Sequence, residues 1–141
     1  MTTTKQPGFA PAATPHASTA VHTSEESIIT GETSIPTQGE NMPAYHARPK
    51  NVDGLLPVVI VVQEIFGVHE HIRDICRRLA QEGYLAIAPE LYFRQGDPKT
   101  YTEIPKLVAE VVNKAPDAQV MGDLDSAVAF AWSTAMPCCC F

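Results

Sequence analysis

No nucleophile motif occurs anywhere in these 141 residues: neither Gly-x-Ser-x-Gly nor its cysteine counterpart is present. Each would put a reactive side chain on a strained turn between strand and helix. Gly-x-Gly-x-x-Gly and the P-loop pattern are also missing, which removes the usual phosphate cradles, and no cofactor is expected. Basic residues are scarce. Ten Lys and Arg against sixteen Asp and Glu leave a net charge of -6, so no basic surface for nucleic acid is expected. No run nears the roughly 18 apolar residues of a membrane span. The N-terminus has neither a twin-arginine pair nor an apolar signal core, so no membrane association and a cytoplasmic location are expected.

Cysteine is sparse and badly spaced for chemistry. Cys76 stands alone, and Cys138, Cys139 and Cys140 are consecutive, whereas zinc ligands are usually separated by two to four residues. His69 and His71 are two apart, which places them on different faces of a helix. Metalloprotease spacing needs four. No metal site is expected, and the pair reads as a solvent-facing first helical turn.

What is present reads as an α/β chain. Residues 1–25 are rich in Thr, Ala, Pro and Ser without apolar period, a flexible leader. Ser27 to Ile35 is β-branched and reads as a strand. Gly39-Glu40-Asn41 reads as a turn, and Met42 to Ala47 as an antiparallel partner that Pro43 should confine to an edge or to its first residues. Pro57 to Val62 is continuously apolar, as expected of a strand covered on both faces. Ile72, Ile75, Cys76, Leu79 and Ala80 then mark one face of a helix, with Arg73, Asp74, Arg77, Arg78 and Gln81 opposite. Gly83 sits where a C-terminal cap belongs, and Tyr84 to Ala88 is a second buried strand. Two further helices follow, one marked by Ile104, Leu107, Val108, Val111 and Val112, the other by Met121, Leu124, Val128 and Ala131. Nothing after them reads as the next strand.

Chemistry is expected where the parallel strands end. Glu64 closes the Pro57–Val62 run, and an apolar strand end is a costly place for an unpaired carboxylate. A helix-entry acid is an equally good reading of position alone. Arg94 follows the next strand, close enough on paper to pair with Glu64 or to clamp a substrate carboxylate; a surface loop arginine is the plainer alternative.

Gln63-Glu64-Ile65-Phe66-Gly67-Val68, the helix bearing Ile72-Arg73-Asp74, and Ala88-Pro89-Glu90-Leu91-Tyr92-Phe93-Arg94-Gln95 resemble the dienelactone hydrolase family (carboxymethylenebutenolidase-like proteins). The resemblance runs from about Ser27 to Ala131. It implies an α/β-hydrolase fold and hydrolysis of a lactone or carboxylic ester by a Cys-His-Asp triad. It also implies three roles: Glu64 as partner of the nucleophilic thiol, Ile65 as a backbone N–H of the oxyanion hole, and Arg94 as partner of the glutamate and anchor for an anionic substrate. The family's Gly-x-Cys-x-Gly-Gly turn, acid and histidine have no counterpart here.

The expected fold is therefore the N-terminal part of an α/β-hydrolase sheet, mixed and mostly parallel with flanking helices, and incomplete. Residues 26–132 carry it, and 133–141 read as an aberrant tail from a truncated or frameshifted frame. Acting alone, the chain is expected to be inactive, and to be either marginally stable or associated through an exposed sheet edge. Two alternatives remain: a small anion- or ligand-binding α/β module, and a fragment complementing a separate C-terminal half.

Overall fold

The computed structural model describes residues 21–52 and 54–135. The expected tail at 133–141 overlaps a helix that continues to Ala135, and Cys138 to Cys140 lie outside the described residues. Four strands form one mixed sheet in the order β1-β2-β4-β3, with β1 at Ile28–Thr37, β2 at Glu40–Pro49, β3 at Val58–Ile60 and β4 at Leu85–Pro89. β1 and β2 make an antiparallel hairpin, β2 pairs antiparallel with β4, and β3 pairs parallel with β4. Among the described residues there are three α-helices, α1 at Glu70–Gln81, α2 at Ile104–Glu110 and α3 at Asp117–Ala135, of which α1 and α3 pack on the sheet.

Side-chain alternation divides the core into two layers. Ala86 and Ala88 of β4 face one side with Tyr45 and Ala47 of β2, where α1 supplies Ile72, Cys76 and Ala80. Leu85 and Ile87 face the other side with Met42 and Ala44, where α3 supplies Ala127 and Ala131. Size is complementary in part: the strand residues Ala47, Ala86 and Ala88 lie with Ile72 of α1, and Met42, Leu85 and Ile87 lie with Ala127 and Ala131 of α3. Such interdigitation is what close packing requires. Helix α1 ends as the sequence leads one to expect. Gly83, at φ 96°, donates to Ala80, and Tyr84 donates to Leu79, the paired bonds of a Schellman cap.

Four expectations need correction. The hairpin turns at Gln38–Gly39, one residue before the Gly39–Asn41 segment. β2 is internal, which excludes the edge placement and leaves Pro43 among the first residues of the strand, before its pairing with β4 begins. Pro43 is tolerated there because its carbonyl accepts from Glu90 N, just past the stretch of β2 that pairs with β4. Carbonyl and N–H of one residue point the same way in such a ladder, so the missing donor faces a strand that has already ended. β3 is shorter and less covered than its apolar run suggests. It occupies only Val58–Ile60 and is half-buried, whereas every residue of β4 is buried; β4 has neighbours on both sides and β3 on one.

The polar face of α1 is the fourth correction. Asp74 and Arg77 are buried, not solvated. Asp74 accepts from Thr23 N at 3.2 Å and from Arg78 Nε at 2.7 Å, and Arg77 pairs with Glu70 and Asp74 beneath Tyr45. The end of the expected leader is thereby tied to α1, and Gln81 Nε2 reinforces it by donating to Ser24 O at 2.8 Å.

Burial pushes the Asp74 carboxyl up, but hydrogen bonds from Thr23 and Arg78 outweigh burial and hold it below its ordinary 3.8. A folded-state pKa below the unfolded one gives stability that is present above the ordinary value. That stability is lost as pH falls through the depressed one. Asp74→Asn is expected to lower the denaturation midpoint at pH 7 and to flatten its decline below about pH 4. Urea titrations of both proteins across pH 2–7 (roughly the range in which carboxylates titrate) check this.

Candidate functional site

The carboxyl end of β3 leads straight into a tight, heavily bonded turn. Val61 N donates to Ile87 O at 2.8 Å, prolonging the β3–β4 pairing by one residue. Gln63 Oε1 then accepts from Leu91 N at 2.9 Å, so the side chain holds the two strand exits together where the ladder has stopped. Glu64, Ile65, Phe66 and Gly67 make the turn, closed by Gly67 N donating to Glu64 O at 3.0 Å. Gly67 has φ 78°, and a Cβ there would stand 3.1 Å from Glu90 Oε2. Only glycine meets both the conformation and the clearance. Glu90 accepts from Val68 N at 3.2 Å.

Glu64 sits at the mouth of this turn with its side chain 58% exposed, and its Oε2 lies 3.0 Å from His69 Nε2. Ile65 is half-buried beside it. Backbone bonds across the loop come from the N–H groups of Gly67, Val68 and His69. His69 is largely buried rather than solvent-facing and precedes the first turn of α1. Its ring stacks on His71 with centroids 6.2 Å apart. Sequence reasoning missed His69 because it weighed only the His69–His71 spacing; the signal available was an acid five residues upstream across a glycine turn.

Arg94 does not join Glu64. Its Nη1 donates to Asp123 Oδ2 at 2.7 Å, its Nη2 to Asp123 Oδ1 at 3.2 Å, and its Nε to Glu40. The guanidinium carbon lies 4.2 Å over the Phe93 ring. Asp123 is fully buried and also accepts from Thr37 Oγ1 at 2.8 Å and Gln38 Nε2 at 3.2 Å. The physical reason for the changed partner is desolvation: a buried carboxylate without a charged partner costs far more than an exposed one. Hydrogen bonding to Asp123 is the main cause that raises the Arg94 pKa above its already high ordinary value, with burial opposing and Glu40 assisting. The sequence carried a signal for Asp123, which falls on the same helical stripe as Val120, Ala127 and Ala131.

Cys76 is not a nucleophile. It is fully buried, and burial pushes its thiol up to about 12, whereas reactive cysteines have a depressed pKa and access to solvent. Among the described residues, no group of three or more His, Cys, Asp or Glu is placed to hold a metal ion. No helix among them is long and apolar enough to cross a membrane.

A model of the dienelactone hydrolase family matches residues 42–138. An Escherichia coli (strain K12) protein named as a candidate carboxymethylenebutenolidase is 69% identical over 131 residues, covering 93% of this chain and 48% of its own length. A Salmonella typhi protein of the same name is 66% identical over 131 residues, with the same two coverages. The crystal structure of a candidate dienelactone hydrolase from Klebsiella pneumoniae superposes with a TM-score of 0.77 at 72% identity, over 79% of this chain and 47% of that one. The chain spans about half the length of the curated relatives it matches.

Asp123→Asn would leave the Arg94 fork beside a neutral amide in a buried site. It is expected to destabilise the chain by about 3–5 kcal/mol, the range for breaking a buried pair. The denaturant midpoint measures this, with Glu40→Gln, at the exposed partner, expected to cost about 1 kcal/mol or less.

Proposed function

Because the chain belongs to the dienelactone hydrolase family and forms the N-terminal part of an α/β-hydrolase fold, we propose that it carries the supporting half of an ester- or lactone-hydrolysing site. The observation that carries this reading is the Glu64–Gly67 turn, fixed at the carboxyl end of a parallel strand by bonds from both strand exits. In the proposed reaction a cysteine thiolate attacks the substrate carbonyl, and the carbonyl π electrons move onto oxygen. The Ile65 N–H donates to that developing oxyanion, a fixed dipole aimed at transition-state charge. Glu64 stands beside the thiol and accepts its proton. Collapse of the tetrahedral intermediate expels the alkoxide, which leaves as the alcohol with the proton held by Glu64, and a thioester remains. The triad histidine takes a proton from water, the hydroxide adds to the thioester carbonyl, and the acid departs as the thiolate is expelled.

Cysteine, histidine and aspartate of the triad have no motif in these 141 residues, so the chain alone is proposed to be inactive. A small, anionic ester or lactone in the cytoplasm is the proposed substrate class. Arg94 would reach its carboxylate by exchanging the exposed Glu40 while keeping Asp123. No cofactor is part of the scheme.

A second reading rests on the outer edge of β3, which no strand among the described residues pairs. Val62 is exposed just beyond that strand, and α3, which packs on β3, exposes Met121, Val128 and Trp132. Unpaired edges flanked by apolar side chains promote association, which supports self-association or capture of a C-terminal half over a self-sufficient binding module.

The test is hydrolysis of a chromogenic ester by the purified chain and by the chain continued with the residues that follow the matched segment in the Escherichia coli relative. Activity is expected only in the extended form, and Glu64→Gln there is expected to lower kcat about 10²-fold. Thiol-sensitive activity in the short chain would overturn the proposal.

A further inference from the structure

Glu64 leaves the sheet on a side chain with three rotatable bonds, yet the proposed reaction needs its carboxylate at one place. Positioning groups lose catalytic power with displacements near 1 Å, so something must select the rotamer. The backbone beneath Glu64 is fixed by Gly67 N to Glu64 O at 3.0 Å, His69 N to Gly67 O at 3.1 Å, and Val68 N to Glu90 Oε2 at 3.2 Å. None of these bonds touches the Glu64 carboxylate.

His69 does. It occupies the N-cap position of α1 in extended conformation, φ -91° and ψ 178°, but its side chain makes no capping bond. The ring is turned back over the turn instead, 10% exposed, with Nε2 at 3.0 Å from Glu64 Oε2. A capping position that forgoes its cap gives up a favourable local bond; here the imidazole spends its contact on the carboxylate. The ring also stacks on His71, with centroids 6.2 Å apart and planes 17° from parallel, a second contact that limits its rotation. An exposed ion pair would be worth little for stability, and the geometry is better suited to orientation.

We propose that His69 is the positioning residue of Glu64: Nε2–H holds Oε2, fixes one rotamer, and leaves Oε1 for the nucleophilic thiol. This rests on the role given to Glu64 above. It extends that role to a residue outside the reacting atoms, and it requires the tautomer that carries its proton on Nε2.

Two experiments test it, one on the chain as it stands. In nitrogen-edited spectra of the 141-residue protein, His69 is expected to show an exchange-protected Nε2–H resonance that Glu64→Gln weakens or abolishes. An Nε2 without a proton in the parent overturns the inference. In the extended chain, His69→Ala is expected to lower kcat on the order of tenfold with KM little changed, and His69→Gln, which keeps a donor at similar reach, to restore most of it. The double variant Glu64→Gln with His69→Ala should be no slower than Glu64→Gln alone, as for residues acting as one unit. Additive losses, or a His69→Ala enzyme as fast as its parent, overturn the inference and leave the role of Glu64 standing. A Glu64→Gln enzyme as fast as its parent overturns the underlying reading. Thermal melts of each variant separate these effects from unfolding.

Discussion

The buried carboxylate of Asp123 is the constraint around which the α3 side of the molecule is arranged. A fully desolvated charge must be matched by donors or the layer that contains it will not form. Four hydrogen bonds meet that demand: two from the Arg94 fork, one from Thr37 and one from Gln38. They come from three separate places, the loop after β4, the end of β1 and the hairpin turn. Docking α3 therefore fixes the hairpin tip and the β4 exit together. The chain cannot seat Ala127 and Ala131 on the sheet without also deciding where Arg94 goes.

That decision reaches the candidate site through β4. The same loop that ends in Arg94 begins with Glu90 and Leu91, whose groups hold the Glu64 turn. One short segment thus faces two ways, toward α3 with its cation and toward β3 with an acceptor and an N–H. The turn at residues 64–67 is bonded to a neighbouring segment that the buried charge ties in turn to α3. Precision in a site usually depends on such supporting bonds rather than on the reactive groups themselves.

Much of this was readable from the residues, and what was not has identifiable causes. The strand-helix-strand order, the face of α1 that meets the sheet and the cap at Gly83 follow from period and glycine placement, and all three appear in the structure. Glu64 and Arg94 were located correctly as strand-exit residues, but their partners were not. Partner choice depends on which carboxylate is desolvated, and a local pattern does not report desolvation. Asp74 and Arg77 failed for the same reason: both lie on the polar stripe of α1, yet the chain at Thr23 and Ser24 folds over that stripe. The strand character of Pro57–Val62 was overstated because apolar content measures what a strand can bury, not how many neighbours it has.

Four bonds that shape the Glu64 turn lie within residues 63–91. Gln63 to Leu91, Glu90 to Val68, Glu64 to Gly67 and His69 to Glu64 close among themselves. A platform of this kind exists before a nucleophile or substrate arrives, so little ordering cost is left for the reaction itself. It also separates two properties that are easily confused. In the proposed site, orientation of a carboxylate and an N–H comes from this stretch of chain, whereas the proposed reaction needs a thiolate that this stretch does not offer. Cys76, nearby in sequence, cannot supply it, because the packing that makes α1 fit the sheet is what withholds its thiol from solvent and keeps it protonated.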